Sequence, residues 1–234
     1  MTRPVLVACS HGTSSGDGRR AIRALVDQVR AMLPDVRIEE AFVDVQEPAV
    51  ADVVAEAAAS APVIVVPLLL STGYHTRVDI AQAVAPYRRA VAAPALGPHD
   101  LLALTIEERL RESDVQPDDA IVLAAAGSSD PAAETDVRAM AARLAELLHT
   151  PIAVGFAAGA QPRIDAAVAA ARANGAGRVV AASYVLAPGF FADVIADSGA
   201  DVVTSPLAPD LRIAALVAER YRAACEIVAA RAVA

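Results

Sequence analysis

The sequence predicts an α/β fold of two tandem, similar domains, each a parallel sheet of about four strands flanked by helices, with a cleft between them. Three observations support this class. Apolar residues make up 56% of the 234 residues and aromatic residues only 3%, so the core must consist mainly of Ala, Val, Leu and Ile. Strand-like and helix-like apolar periods alternate along the chain. Segments of the first half then recur, in the same order, in the second half.

Short apolar runs predict four strands in the first half. The run at residues 63–70 is nearly continuous, which is typical of a strand in a parallel sheet that is covered on both faces. The predicted strands are residues 5–9, 38–43, 63–70 and 91–96.

Apolar residues at helical spacing separate these strands. Residues 19–33 carry the apolar stripe of an amphipathic helix. Pro48 is predicted to open the second helix, because proline is favoured at a first helical position. Residues 76–86 and 99–111 supply two further helices, and this βαβα order predicts a parallel sheet with helices on both sides.

A polar segment, residues 112–119, interrupts this pattern and predicts a linker. The domains predicted on either side are residues 1–115, which carry the chemistry, and residues 116–234, a degenerate repeat.

The pattern starts again after the linker. VLVACSHGTSS recurs as AIVLAAAGSSD, with Gly12 over Gly127 at an offset of 115 residues. LLLSTGYHTRVDI recurs as SYVLAPGFFADVI, with Gly73 over Gly189 at an offset of 116 residues. APALGPHDL recurs as TSPLAPDLR at an offset of 111 residues. Three anchors in order, at nearly constant offset, indicate a tandem duplication of one α/β unit.

The two copies differ in their histidines. His11 falls on Ala126, and His75 falls on Phe191. His99 likewise falls on Asp210. The first copy therefore holds the polar chemistry, while the second keeps the turn glycines and can form the other wall of a cleft.

His11 and His75 each follow the carboxyl end of a predicted strand, the edge where open α/β sheets bind ligands. Neutral imidazole is the commonest protein ligand for Co²⁺, Ni²⁺, Fe²⁺ and Zn²⁺. Asp44 and Glu47 follow the second predicted strand and are candidate carboxylate ligands. Two imidazoles and one carboxylate would leave coordination positions open, as a transient or catalytic metal site requires.

Each of these residues also has a structural interpretation. A histidine between a strand and a helix could be a cap or turn residue, and His99 could simply start a helix. Asp44 and Glu47 could be the N-cap and first-turn residues of the helix opened by Pro48.

Charge and cysteine usage exclude several classes of protein. The net charge of −8 argues against a nucleic-acid partner. Cys9 and Cys225 follow no CxxC pattern, so free thiols of a reducing compartment are expected. No apolar run reaches membrane-spanning length, and the run before His11 is too short for a signal peptide. A cytoplasmic protein without a membrane partner is expected.

Three motifs, CSHGTSSGDG, AFVDVQEPAV and VPLLLSTGYHTRVDI, resemble those of the sirohydrochlorin chelatases of cobalamin and siroheme biosynthesis. The resemblance is strong over the first half, and the second half is similar to the degenerate copy of the two-domain bacterial members. It implies insertion of Co²⁺ or Fe²⁺ into sirohydrochlorin, with the divalent metal (Co²⁺, Fe²⁺ or Ni²⁺) as substrate and no permanently bound cofactor. The family's active-site histidines correspond to His11 and His75, and a family carboxylate corresponds to Asp44 or Glu47.

The candidate substrate-binding residues lie at the same strand ends. They are Gly12, Ser71, Gly73, Tyr74 and Arg77. Arg77 and the backbone amides after Gly12 are candidates to hold substrate carboxylates, although Arg77 could equally be a solvated surface residue. A monomer is expected, because the fused halves can form the cleft by themselves.

Two other functions compete with the chelatase hypothesis. A histidine phosphatase would need an arginine directly before the histidine, and Ser10 stands there. A non-enzymatic carrier of metal or tetrapyrrole would have the same fold, and only turnover distinguishes it.

Overall fold

The structure, a computed structural model, describes residues 3–73 and 75–233. Its strands are β1 Val5–Ser10, β2 Ile38–Phe42, β3 Val63–Pro67, β4 Ala90–Ala92, β5 Ala120–Ala125, β6 Ile152–Phe156, β7 Val179–Tyr184 and β8 Val202–Val203. They form two parallel four-stranded sheets, in the orders β2-β1-β3-β4 and β6-β5-β7-β8. The predicted fold class is confirmed. We call the parts built around the first and second sheets the first and second lobes.

Helices cover both faces of the two sheets. They are α1 Gly16–Met32, α2 Val50–Ala58, α3 Ala81–Val84, α4 Asp100–Glu112, α5 Pro131–Leu148, α6 Ile164–Ala173, α7 Phe190–Ala196 and α8 Leu211–Val233, with a π-helix at His75–Ile80 directly before α3. Within the described residues, no helix has the length and apolar character needed to cross a membrane.

The loop after β2 differs from its prediction. Pro48 does not open a helix, because α2 begins at Val50 with Ala49 as its N-cap. The Pro48 carbonyl instead accepts a hydrogen bond from the Phe42 amide at 3.1 Å, and Phe42 forms a parallel bridge with Ala49. This interpretation of Pro48 was therefore wrong, and so was the cap interpretation of the acidic residues before it.

Other boundaries also shift, and the fourth strand ends at Ala92 rather than at Leu96. The third strand ends at Pro67 rather than Leu70, although the Leu68 amide still donates to the Cys9 carbonyl at 2.7 Å. The helix predicted at residues 76–86 is the π-helix followed by the short α3. Apolar spacing does not distinguish these two kinds of helix.

The duplication is visible in backbone detail. Gly12 and Gly127 both have positive φ, +91° and +83°. The Asp44 amide donates to the His11 carbonyl at 3.1 Å, and the Ala158 amide donates to the Ala126 carbonyl at 2.8 Å. His11 and Ala126 therefore occupy equivalent positions.

Each lobe contributes its last helix to the other lobe. Helix α4 packs on α5 and β7, and α8 packs on α1, β3 and β4. The Tyr221 hydroxyl of α8 donates to the Pro4 carbonyl at 2.7 Å, and the Arg109 guanidinium of α4 donates to the Leu207 carbonyl at 3.1 Å. One apolar core consequently contains residues of both lobes. The boundary between residues 115 and 116 stays a prediction.

The two cysteines are free thiols in different surroundings. Cys9 is buried in β1, and this burial, with a smaller contribution from nearby Asp79, raises the pKa of its thiol to about 12. Cys225 in α8 is partly exposed, and burial raises the pKa of its thiol as well. Because the thiolate is the reactive form, Cys9 should be inert in the folded protein.

We predict that a thiol reagent such as DTNB labels only Cys225 in the native protein at about pH 8, since Cys9 is buried and protonated there. Both thiols should react after unfolding in urea. The Cys225→Ser variant is the control, and its native form should take up no label. Rapid labelling of that variant without denaturant would contradict the burial of Cys9.

Candidate active site

A cleft of about 590 Å³ lies between the lobes. Its walls are loops that follow the carboxyl ends of strands in both sheets, where parallel sheets bind ligands. The lining comprises residues 10–14, 45–46, 68–73, 75–76, 125–129 and 184–191, with Ile22 and Val137 from α1 and α5.

The structure brings His11 and His75 together in this cleft. Their ring centroids are 4.7 Å apart and the rings are nearly perpendicular, at 87°. His11 directly follows β1, and His75 begins the π-helix that follows β3. Because β1 and β3 are neighbours in the sheet, their carboxyl ends place both side chains at the same edge.

Hydrogen-bond partners indicate the tautomer of each imidazole. His75 Nδ1 lies 2.7 Å from Asp79 Oδ2, and His11 Nδ1 lies 3.3 Å from the Gly12 carbonyl oxygen. A carboxylate and a carbonyl oxygen can only accept, so Nδ1 carries the hydrogen in both rings. In the neutral ring the lone pair is then on Nε2, the arrangement that second-sphere partners commonly impose on metal-binding histidines.

The turn at Gly12 positions His11. A Cβ at Gly12 would lie 2.2 Å from the Asp44 carbonyl oxygen, so the loops after β1 and β2 can approach this closely only with glycine there. The same two loops are joined by the Gln46 side chain, whose Oε1 accepts from the Thr13 amide at 2.8 Å.

The predicted carboxylates are placed differently from the histidines. Asp44 and Glu47 are exposed, and neither is among the residues that line the cleft; Val45 and Gln46 line it instead. Val45 has a φ of +61°, and its amide donates to Asp44 Oδ1 at 2.8 Å, which engages that carboxylate locally. Within residues 3–73 and 75–233, no group of three or more His, Cys, Asp or Glu residues could hold a metal ion.

The predicted substrate-binding residues fall into two groups. Gly12, Ser71 and Gly73 line the cleft. Tyr74 lies outside the described residues, and the Arg77 side chain does too, although the Arg77 backbone belongs to the π-helix.

The other two histidines serve the ends of helices. His99 is the N-cap of α4, and its Nδ1 accepts from the Leu101 amide at 3.2 Å. His149 is the exposed C-cap of α5. The interpretation of His99 as a helix-start residue is confirmed.

The cleft wall is mainly apolar. Among the lining residues that the structure describes, the imidazoles and the Tyr184 phenol are the titratable groups, and no Arg, Asp or Glu occurs. Two large apolar side chains are exposed on opposite walls, Val45 at 56% and Phe190 at 71%. A flat apolar ligand with polar substituents would suit such a surface.

Sequence reasoning gave no role to two residues that support the histidine pair, Asp79 and Gln46. The sequence does indicate a role for Asp79, because a residue four positions after His75 in a predicted helix lies on the same helix face. Gln46 stands between the two candidate carboxylates and had no signal of its own, because the conformation of the loop decides which of its side chains enters the cleft.

The fold and site define a two-lobed α/β protein with a paired-histidine ligand cleft. A model of the CbiX protein family matches residues 5–113 and again residues 120–224. The chain therefore belongs to the CbiX family.

Several solved structures are similar to this chain. SirB from Bacillus subtilis with Fe³⁺ has a TM-score of 0.80 at 20% identity, over 94% of this chain and 95% of that one. The sirohydrochlorin chelatase SirB from Bacillus subtilis subspecies spizizenii, in complex with cobalt, has a TM-score of 0.75 at 18% identity, over 96% of both chains. CbiX, described as the terminal enzyme of siroheme biosynthesis in denitrifying bacteria, has a TM-score of 0.65 at 19% identity, over 94% of this chain and 99% of that one. These likenesses show the shared fold. A comparison with curated proteins found no match.

We predict that Gly12→Ala destabilises the protein more than Gly175→Ala does. Gly175 has a similar φ of +95°, but a Cβ there would have nothing within 4 Å. The control should therefore lose only the cost of the left-handed conformation, about 1–2 kcal/mol, whereas Gly12→Ala adds the collision with Asp44. Urea unfolding of both variants measures the difference, and equal losses would contradict the close approach of the two loops.

Proposed function

We propose that this protein inserts a divalent metal ion, Co²⁺ or Fe²⁺, into sirohydrochlorin. The observation that carries the proposal is the histidine pair, with ring centroids 4.7 Å apart, at the sheet edge that lines the cleft between the lobes. Membership in the CbiX family and the described activities of the similar SirB and CbiX proteins support it.

The histidine pair suits a metal ion that must be passed on to the substrate. Two Nε2 ligands leave the other coordination positions to water or to the nitrogens of an incoming macrocycle, so ligands can be exchanged one at a time. Imidazole is a borderline ligand that accepts Co²⁺ and Fe²⁺ alike. Related structures hold Fe³⁺ and cobalt, and we include both metals in the proposal.

Insertion must also remove two pyrrole N–H protons, because the metal takes the place of both hydrogens. An imidazole that releases the metal regains the lone pair on Nε2, which can then accept a proton. His11 and His75 would in this way deliver the ion and receive the protons, while Asp79 keeps the Nδ1–H of His75 in place.

The cleft can receive a flat macrocycle. The Phe190 and Phe191 rings, 5.4 Å apart between centroids, stand at the wall of the second lobe, and Val45 stands at the wall of the first. Substrate carboxylates would reach the rim, where hydroxyls such as Thr13 and Ser128 and backbone amides are available. Arg77 remains a candidate for these carboxylates.

We also propose that the protein acts as a cytoplasmic monomer. The second lobe already supplies the second wall of the cleft, so the site needs no residue from another copy. Asp44 and Glu47 remain candidate auxiliary ligands, which a rearrangement of their loop on substrate binding would have to bring into the cleft.

We predict that His11→Ala and His75→Ala each lower the rate of Co²⁺ insertion into sirohydrochlorin about 100-fold or more, since each removes a ligand and proton acceptor. The change in the visible spectrum of the macrocycle measures the rate. His149→Asn is the matched control, because His149 is exposed at a helix end, and this variant should keep the wild-type rate.

Two results would contradict these assignments. Wild-type protein that binds sirohydrochlorin but does not exceed the spontaneous rate of insertion would make it a carrier rather than an enzyme. An active His75→Ala variant would remove His75 from the site without affecting membership in the family.

We predict that Asp79→Ala weakens Co²⁺ binding about 10- to 100-fold, the usual effect of losing a second-sphere partner of a histidine ligand. Asp79→Asn should lose less, because its amide oxygen can still accept from Nδ1–H. Calorimetric titration with Co²⁺ measures the affinity, with Asp52→Ala, an exposed position in the first turn of α2, as the control. An unchanged affinity in Asp79→Ala would contradict the role of Asp79 in supporting His75 as a metal ligand.

A further inference from the structure

The segment that leads from β3 to His75 is held by the second lobe. The Tyr184 hydroxyl, at the end of β7, donates to the Leu70 carbonyl at 2.9 Å. The Thr72 amide donates to Asp136 Oδ2 of helix α5 at 2.7 Å. Two main-chain groups shortly before His75 are therefore bonded to side chains across the cleft.

The Tyr184 contact depends on a glycine in the first lobe. A Cβ at Gly97 would lie 2.2 Å from the Tyr184 hydroxyl oxygen and 2.4 Å from the Leu70 carbonyl oxygen. Tyr184 is only 2% exposed, and burial, with a smaller contribution from Asp136, raises the pKa of its phenol. The hydroxyl therefore stays protonated and remains a donor to Leu70.

The duplication shows that neither contact has a counterpart on the other side of the cleft. At the offset of 115 residues, Asp136 corresponds to Ala21, and the adjacent pair Val137 and Ile22 both line the cleft, which supports this register. At the offset of 116 residues, Thr72 corresponds to Pro188, whose nitrogen carries no hydrogen to donate.

Tyr184 corresponds to Leu68 at the same offset, so the hydroxyl is also missing on the other side. The corresponding contacts therefore cannot form on the other side, because Pro188 has no amide hydrogen and Leu68 has no hydroxyl. Neither contact belongs to the repeating unit. Both occur on the side of the cleft that carries His75.

The anchored point lies close to His75 along the chain. Directly after Thr72, the Gly73 amide donates to Thr76 Oγ1 at 2.9 Å, and Thr76 Oγ1 in turn donates to the Gly73 carbonyl at 2.9 Å. The two residues that these bonds join, Gly73 and Thr76, lie on either side of His75 along the chain. A displacement of Thr72 would therefore move His75 relative to His11.

We propose that Asp136 and Tyr184 are positioning residues, which hold the segment 70–73 from the second lobe and so fix His75 at its distance from His11. This inference rests on the proposed function, in which the two imidazoles share the metal ion. In this proposal the second lobe positions a residue of the site in addition to forming one wall of the cleft.

The test compares Asp136→Ala with Asp136→Asn, which keeps an oxygen that can accept from the Thr72 amide. Glu134→Ala is the control on the same helix, since that carboxylate pairs with exposed Arg138. Hydrogen exchange of the Thr72 amide and the NMR signals of the His75 ring report position, and calorimetric titration with Co²⁺ reports affinity.

We expect Asp136→Ala to speed exchange at Thr72, shift or broaden the His75 ring signals and weaken Co²⁺ binding about 10-fold. Asp136→Asn and Glu134→Ala should stay within about 2-fold of the wild type on the same scale. Asp136→Ala should weaken binding no further when His75→Ala is already present, because a positioning residue acts through the residue it positions. Tyr184→Phe is a second test and should change the same signals.

Unchanged His75 signals and Co²⁺ affinity in both Asp136→Ala and Tyr184→Phe would overturn the inference, even if exchange at Thr72 rises. An additive loss in the His75→Ala background would also overturn it, since the effect would then not pass through His75. If the wild-type protein shows the expected pattern but does not metallate sirohydrochlorin, the proposed function fails and the positioning role stands.

Discussion

The apolar core shared by the two lobes is the interaction on which the rest of the molecule depends. Helices α4 and α8 each pack on the sheet of the other lobe, so each sheet is covered in part by a helix of its partner. This exchange fixes the carboxyl edges of both sheets along one cleft. The apolar walls on both sides of the cleft and the hydrogen bonds across it follow from that arrangement.

The duplication leaves the imidazoles in one half, and side chains that bond across the cleft lie in the other. Both copies keep a left-handed glycine after the first strand and the same hydrogen bond to the next loop. The second copy has Ala126 and Phe191 in place of the histidines, yet it carries Asp136 and Tyr184, whose bonds cross to the other lobe. The two halves therefore differ in the side chains that they present to the cleft.

Much of the architecture could be predicted from local pattern. Apolar periods placed the strands and most helices, and the recurring glycines revealed the duplication. The errors occurred where the local pattern does not specify the backbone conformation. Pro48 lies in a loop because its carbonyl bonds to Phe42, and the segment from His75 to Ile80 is a π-helix although its composition fits an ordinary helix.

The sequence by itself placed His11 and His75 at the same edge of one sheet, because both follow strands of a parallel sheet and parallel strands end at the same edge. Only the tertiary structure decided which side chains surround them. The backbone of the loop after β2 directs Val45 and Gln46, rather than Asp44 and Glu47, to the cleft. The bonds from Asp136 and Tyr184 join residues 64 and 114 positions apart. Contacts across such separations leave no local pattern, since they exist only once the shared core has brought the lobes together.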